Sequence, residues 1–216
     1  MRANEYLTVW GEHSASFVER KSEFIGRIAH VETEEEAKAF IAAVSKEHAS
    51  ATHNVYCYIL RENNTIRFSD AGEPSGTAGR PALEVLLREG VTDVCLVVTR
   101  YFGGILLGAG GLVRAYAKSA KVALDAAGIY RMEESLQLAF LAEYSDWARL
   151  EPALVAGGAE IAEVAFGAAV EGTILCPPEK AANIQAILSD QSAGRAVYVE
   201  QGSILRPVKI EQGENG

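Results

Sequence analysis

The segment from Asp70 to Arg80 gathers several side chains that could take part in chemistry. In eleven residues it holds three glycines, two carboxylates, two hydroxyls and one guanidinium. The candidates for a polar cleft are Asp70, Glu73, Ser75 and Thr77, and Arg80 closes the segment. A carboxylate here could act as a general base or hold a magnesium ion, but one short loop offers too few groups to fix either role. We therefore expect no metal site and no cofactor.

A second loop, residues 99–111, holds five glycines between an apolar run and a predicted helix. These glycines are Gly103, Gly104, Gly108, Gly110 and Gly111. Glycine lets backbone amides approach a ligand, and a helix N-terminus offers unpaired N–H groups, so the pattern is typical of an anion site. Arg100 and Arg114 lie on either side and could each bind a phosphate or carboxylate through two hydrogen bonds. With Arg80 and Tyr101, these residues form the predicted anion- or nucleic-acid-binding surface.

Both loops also allow a structural interpretation, because glycine clusters serve tight turns and close packing of helices on sheets. The known nucleotide motifs do not fit. Leu112 and Val113 stand where a P-loop needs Lys followed by Ser or Thr. The run from Gly108 to Gly110 begins like a dinucleotide fingerprint, but the sixth position is Val113. The ligand therefore stays open.

Two histidines and a cysteine lie near the predicted junction of a helix and a strand. His48 and His53 are five residues apart, and Cys57 follows four residues later. A Cys–His pair can form a nucleophile or a metal site. Because Cys57 lies in an apolar run typical of a buried strand, the pattern favours an inert thiol. His53 remains a candidate for the polar cleft.

Composition and charge narrow the class of protein. The chain is 49% hydrophobic and 23% charged, which is ordinary for a globular protein. Residues 1–131 hold 15 basic and 16 acidic residues, a net of −1, whereas residues 132–216 hold 5 and 13, a net of −8. A polyanion-binding surface over the whole chain is thus excluded, but a local one in the first half is not. Three scattered cysteines and the lack of a long apolar run indicate free thiols, no membrane association and a cytoplasmic protein.

The elements of the first half must position the two loops. Thr33 and Glu36 form a capping-box pattern that opens an amphipathic helix ending near His48. The segment 16–30 is predicted to be extended with a bend near Gly26. Two apolar runs, 55–60 and 65–69, predict a hairpin. The apolar run 94–99 predicts a central buried strand, and a helix is expected from Leu112 to Ala127, with Arg114 in its first turn.

The second half has the order strand, helix, strand, strand, helix, strand. This order in about 75 residues is typical of the ferredoxin-like fold. Its closing strand is expected in two pieces, residues 196–201 and 205–210. The sequence therefore predicts an α+β protein with domains at 1–131 and 135–210.

The two glycine-rich segments also carry a family resemblance. The runs from Asp70 to Pro81 and from Val98 to Tyr116, with an upstream element from Ala51 to Asn54, closely resemble the signature of the YigZ/IMPACT family. The resemblance covers essentially the whole chain. One departure is Ala71, where many relatives carry a second aspartate, and this weakens a metal site that would need paired acids.

The resemblance implies a fold and a field of activity. It implies a first domain like the α/β sandwich of domain 2 of a ribosomal small-subunit protein, also seen in elongation factor G. It implies a ferredoxin-like second domain resembling another module of that factor. Eukaryotic relatives are linked to translational control through competition for an activator of a stress kinase. For the bacterial two-domain form, which this chain resembles, it implies association with nucleic acid or the ribosome.

Two hypotheses on function follow. The first is a translation-associated regulator that binds RNA, the ribosome or a translation factor through the Gly/Arg-rich surface, where Tyr101 and Phe102 could stack on bases. The second is an enzyme or a receptor for a small anion, such as a nucleotide or phosphate, in the cleft between loops 70–80 and 99–111. The sequence offers no convincing pair of nucleophile and base for the second.

Overall fold

The computed structural model describes residues 5–210, and the chain divides into two compact units. One unit is built mainly from Tyr6–Arg131, and the other from Met132–Arg206. Both mix helices with antiparallel strands, so the predicted α+β class is confirmed. Within residues 5–210, no helix combines the length and the hydropathy that crossing a bilayer requires.

The first unit is a sheet covered by helices on both faces. Its elements are β1 (Tyr6–Thr8), β2 (Glu12–Glu19), β3 (Ser22–His30), α1 (Glu34–Glu47), β4 (His53–Leu60), β5 (Thr65–Ser69), α2 (Gly79–Arg88), β6 (Val94–Tyr101) and α3 (Ala109–Ala127). Five of the strands form the order β2-β3-β6-β4-β5, and every neighbouring pair is antiparallel. The apolar run at β6 is therefore central and buried, as predicted.

Alternation along β6 separates the two faces of this sheet. Leu96 and Val98 join the core with α2 and α3, whereas Cys95 packs on the face that α1 covers. Successive side chains of a strand point to opposite faces. Arg100 therefore continues the α3 face at the end of the strand, where it pairs with Phe24 of β3 and His53 of β4.

Several elements lie where local sequence patterns predict them. The capping box is present: Thr33 Oγ1 accepts a hydrogen bond from the Glu36 amide, and the Glu36 carboxylate accepts one from the Thr33 amide. The predicted hairpin forms between β4 and β5, with a short 3₁₀ turn at Glu62–Asn64.

The bend predicted near Gly26 is wrong. The chain turns instead at Arg20 and Lys21, whose φ values of 46° and 63° are left-handed, and β2 and β3 form a hairpin on either side. Gly26 lies inside β3, where an added Cβ would approach the Ser119 carbonyl oxygen of α3 to 2.8 Å. The glycine therefore allows close packing of helix on sheet rather than a bend.

The helix after the second loop starts earlier than predicted. It begins at Ala109 with Gly108 as the N-cap residue, so Gly110 and Gly111 belong to its first turn. Arg114 consequently lies in the second turn, not the first. Glycine is a poor helix former, and for that reason the sequence pattern placed the start at Leu112.

The second unit has the predicted element order. It contains β7 (Tyr130–Ala142), α4 (Tyr144–Ala156), β8 (Glu160–Phe166), β9 (Val170–Cys176), α5 (Ala181–Gln191) and β10 (Val197–Lys209). β7 pairs with β9 and with β10, and β9 pairs with β8. Leu138, Leu150 and Ile174 lie in its apolar core. The closing strand, expected in two pieces, is continuous.

Candidate functional site

A buried ion pair joins the two glycine-rich loops. The Arg100 guanidinium donates to Glu73 Oε1 at 2.6 Å, and the two side chains are only 6% and 3% exposed. A buried charge is costly unless it is paired and hydrogen-bonded. Arg100 and Glu73 were predicted as an anion-binding residue and a possible base, but here each neutralises the other.

Tyr116 of α3 contacts the same carboxylate oxygen. Its hydroxyl donates to Glu73 Oε1 at 2.8 Å. Burial raises the pKa of Tyr116, and the negative charge of Glu73 raises it further. The hydroxyl therefore keeps its proton and remains a donor. No sequence pattern predicts this contact, because Tyr116 resembles an ordinary core residue of a helix.

His53 lies beside this group. Its Nδ1 is 2.8 Å from the Ala71 carbonyl oxygen, and its Nε2 is 3.8 Å from Glu73 Oε1. Because a carbonyl oxygen can only accept, Nδ1 must carry the proton of that hydrogen bond. In the neutral ring, Nε2 therefore presents a lone pair.

The remaining polar residues of the first loop mostly shape it. The Asp70 carboxylate accepts hydrogen bonds from the amides of Gly76, Ala78 and Gly79 at 2.8, 3.1 and 2.8 Å. Thr77 Oγ1 donates to the Pro74 carbonyl at 2.6 Å. Ser75 is exposed. Asp70 and Thr77 thus hold the loop closed before α2 begins.

Arg80 and Tyr101 point to other partners. Arg80 is exposed on α2 and forms an i,i+4 ion pair with Glu84 at 3.3 Å. The Tyr101 hydroxyl is 2.9 Å from His48 Nδ1. Phe102, by contrast, is 45% exposed.

The second loop is fixed by close backbone contact. The Gly103 amide donates to Ser22 Oγ at 3.2 Å, and a Cβ at Gly103 would lie 1.9 Å from the Lys21 carbonyl oxygen. Gly104 and Gly108 have φ values of 82° and 72°, which few other residues adopt. The glycines therefore have structural reasons to be there, whatever the loop binds.

A cavity of about 380 Å³ opens between the two loops, which we call the loop cavity. It is lined by Thr52, His53, Gly72, Glu73, Pro74, Arg100, Phe102, Leu106, Leu107, Gly108, Ala109 and Leu112. Four residues of the predicted site meet there: His53, Glu73, Arg100 and Gly108. The lining does not include Asp70, Ser75, Thr77 or Arg80.

A second depression, of about 210 Å³, lies next to the loop cavity, and Leu107 borders both. We call it the basic groove; it is lined by Phe17, Glu19, Arg20, Leu107, Gly111, Arg114, Ala115 and Lys118. Arg20, Arg114 and Lys118 form no ion pair with any carboxylate in residues 5–210. Lys118 Nζ lies 4.3 Å from the centre of the Phe17 ring.

The sequence reasoning missed Arg20 and Phe17 as members of this surface. Both lie in or beside the β2–β3 hairpin, for which the sequence predicts one bent extended segment. Half-buried and exposed residues alternate through β2 in the structure, but Arg20 and Lys21 are not typical turn residues, so no local sequence pattern marks this hairpin. In the described part of the chain, no group of three or more His, Cys, Asp or Glu residues is arranged to hold a metal ion.

Comparison with known families gives two matches. Residues 20–124 match the model of the Impact N-terminal domain. Residues 141–195 match that of a domain of unknown function, DUF1949. The first match contains both glycine-rich loops, the loop cavity and most of the basic groove.

Similar proteins are found in bacteria. The chain is 51% identical to the IMPACT family member YvyE of Bacillus subtilis over 129 residues, which is 58% of each chain. It is 36% identical to the IMPACT family member YigZ of Escherichia coli over 178 residues, covering 81% of this chain and 87% of that one. Among solved structures, the crystal structure of a hypothetical protein is 33% identical, with a TM-score of 0.57, and the match covers 96% of this chain and 98% of that one.

Proposed function

Because the chain belongs to the IMPACT family, we propose that it is a translation-associated regulator that binds RNA, the ribosome or a translation factor through the basic groove. The link to translation comes from what the family implies. Membership of the family also leads us to propose that the first domain, 1–131, is related to a ribosomal-protein domain. The second, 135–210, would be related to a module of elongation factor G. We place the protein in the cytoplasm.

One observation carries this proposal: three cations border one groove, and none forms an ion pair with a carboxylate of residues 5–210. Of the arginines predicted to bind anions, Arg80 and Arg100 are paired with Glu84 and Glu73. Arg114 is the one that remains available, and Arg20 and Lys118 lie along the same groove. Lys and Arg side chains that neutralise phosphates dominate affinity for nucleic acids. Glu19 is the one acidic residue among those that line the groove.

An exposed ring lies near the basic groove, and a half-buried ring lies within it. Phe102 is 45% exposed beside the loop cavity, and the Phe17 ring packs under Lys118. An exposed ring offers a stacking face for an unpaired base or an apolar contact for a protein partner. Because the Tyr101 hydroxyl is engaged with His48, Phe102 is the better stacking candidate of the two.

The alternative of a small-anion receptor that uses Arg100 as its clamp receives less support. Glu73 already occupies the guanidinium, so an anion entering the loop cavity would also meet that carboxylate. Repulsion between like charges in a buried site is strong. The geometry therefore favours the basic groove for a polyanion.

The proposal is tested with the variant Arg114→Glu/Lys118→Glu. Binding of a fluorescein-labelled single-stranded RNA and of purified bacterial ribosomes is measured across a salt series. We expect affinity to fall by at least about tenfold. The slope of log affinity against log salt should become shallower by the amount that corresponds to the loss of roughly two phosphate contacts. The control is Lys38→Glu/Lys46→Glu, which makes the same charge change on α1, on the opposite face of the sheet. Salt-insensitive association that is identical in all three proteins would refute the proposal.

A further inference from the structure

The walls of the loop cavity are mostly apolar. Phe102, Leu106, Leu107 and Leu112 line it, and Leu106 is 79% exposed at its edge. A volume of about 380 Å³ falls in the range of pockets for small molecules, roughly 300–1,000 Å³. Covering exposed apolar side chains with a ligand lowers the free energy, because apolar surface is removed from water. The cavity therefore suits a ligand with a compact apolar body.

Its polar floor offers hydrogen-bond acceptors. Glu73 Oε1 accepts from Arg100 and Tyr116, but Oε2 accepts no hydrogen bond from the described residues, although the side chain is only 3% exposed. His53 lines the same cavity and has its lone pair on Nε2, because Nδ1 donates to Ala71. Oε2 is not among the fully buried polar atoms that lack a partner, so it is open to the cavity, where a ligand can donate a hydrogen bond to it. Glu73 Oε2 and His53 Nε2 can both accept hydrogen bonds from a donor on the ligand, such as an ammonium group.

Donors come from the start of α3. Gly108 is its N-cap residue and provides no side-chain cap, and the first amide to bond back along the helix is that of Leu112. Among the described residues the amides of the first turn therefore have no acceptor, and Gly108 and Ala109 line the cavity. The N-terminus of a helix stabilises a carboxylate through these amides and through the helix dipole.

We propose that the loop cavity is a receptor site for a free hydrophobic α-amino acid. The ammonium group is held by Glu73 Oε2 and His53 Nε2, the carboxylate by the amides at the start of α3, and the side chain by Phe102, Leu106 and Leu112. Arg100 takes no direct part, because its guanidinium already donates to Glu73 Oε1. This site shares Leu107 with the basic groove and Phe102 with the proposed stacking surface, but its polar contacts include neither Arg114 nor Lys118, so it does not depend on the function proposed for the groove.

The ligand test uses matched compounds that each lack one group. Thermal unfolding and isothermal titration calorimetry are carried out with leucine, methionine and phenylalanine at up to about 10 mM. Leucinamide lacks the carboxylate, 4-methylpentanoate lacks the ammonium group, and inorganic phosphate represents a simple anion. We expect at least one of the three amino acids to raise the unfolding temperature. Its amide or deaminated analogue should bind at least about tenfold more weakly, and phosphate should have no effect.

Variants then locate the site. Ala109→Pro removes one amide donor at the first helical position, where proline is well tolerated, so the protein should fold normally and lose about tenfold in affinity. Leu106→Ala should weaken binding without changing the stability of the free protein, because the side chain is exposed. Arg114→Glu/Lys118→Glu should leave amino-acid binding unchanged, so failure of the basic groove and failure of this site are distinguishable. The proposal is overturned if no amino acid binds, if leucinamide or 4-methylpentanoate binds as well as leucine, or if Ala109→Pro has no effect on affinity.

Discussion

Glu73 and Arg100 form a hydrogen-bonded ion pair at 2.6 Å in which both side chains are almost fully buried. Glu73 lies in the loop before α2, and Arg100 lies near the end of β6, 27 residues later. The pair therefore ties the first glycine-rich loop to the central strand that leads into the second. What the sequence presents as two separate loops is one site with a common floor.

Removing the charge of Glu73 should destabilise the first unit. The variant Glu73→Gln keeps the shape of the side chain but leaves Arg100 buried without a counter-charge, and breaking a buried pair in this way costs about 3–5 kcal/mol. Urea denaturation of the full chain measures the free energy of unfolding. The matched control is Glu84→Gln, which breaks the exposed pair with Arg80 and should change stability by less than about 1 kcal/mol. Equal effects of the two substitutions would contradict this account of the buried pair.

Replacing Gly103 by alanine should destabilise the protein more than replacing Gly104. Gly103 lacks space for a side chain, whereas Gly104 only has a left-handed backbone. Gly103→Ala forces a methyl group against the Lys21 carbonyl oxygen, so we expect a loss of about 1–3 kcal/mol or more and a displaced β2–β3 turn. Gly104 has no atom near an added Cβ, but its φ is 82°, so Gly104→Ala should cost only about 1–2 kcal/mol. Chemical denaturation gives both values. Amide chemical shifts of residues 19–23 show whether the turn moves. A larger loss at Gly104 than at Gly103 would show that the close contact is not the controlling factor.

The cysteines should be unreactive in the folded protein. Cys57, Cys95 and Cys176 are free and buried, as the sequence indicated. Burial raises the pKa of Cys57 to about 12, and it also raises the pKa values of Cys95 and Cys176. Because the thiolate is the reactive form, a thiol-specific disulfide reagent at pH 8 should label none of them quickly in the native state and all three in urea. Rapid labelling of one thiol in the native state would show that this region opens.

Acid should weaken the second unit through Asp146. This buried carboxylate accepts hydrogen bonds from Arg195 at 2.5 and 3.0 Å and from Arg149 at 2.7 Å. The hydrogen bond from Arg195 lowers the pKa of Asp146 below its ordinary value. A group whose pKa is lower in the folded state contributes stability above its unfolded pKa, near 3.9 for aspartate, and loses it as the pH falls through the folded value.

The variant Asp146→Asn tests this linkage. At pH 7 it should unfold at a lower urea concentration than the wild type, and the difference should shrink as the pH falls from about 5 to 3. Fluorescence of the adjacent Trp147 follows the transition in the second unit. A difference that stays constant over this pH range would assign the effect to packing rather than to ionisation.

Features encoded within a few neighbouring residues could be predicted from the sequence. The capping box at Thr33, the hairpin of β4 and β5 and the buried strand β6 depend on local patterns, and all three are present. The local pattern predicts too late a start for α3, because the low helix propensity of Gly110 and Gly111 hides the first turn.

The partners within the site depend on tertiary contacts and could not be predicted in the same way. Arg100 and Glu73 were each recognised as chemically active, but their types are equally suited to binding a ligand and to pairing with one another. Only the register that sets His53 and Phe24 beside Arg100 on the face toward α3 brings Glu73 within reach. The role of Arg20 could not be predicted either, because it depends on where the loop that carries Leu106 lies. The Leu106 carbonyl oxygen is 3.4 Å from the Arg20 guanidinium.

The turn between β2 and β3 has a consequence for how this protein can change. Arg20 and Lys21 both adopt left-handed backbone conformations, which asparagine and glycine adopt at lower cost. An Asn-Gly pair in place of Arg20 and Lys21 would make the hairpin easier to form. It would also remove Arg20, the cation at one edge of the basic groove. Selection for heat resistance alone should therefore replace both turn residues, whereas selection for binding at the groove should keep Arg20 in its left-handed conformation.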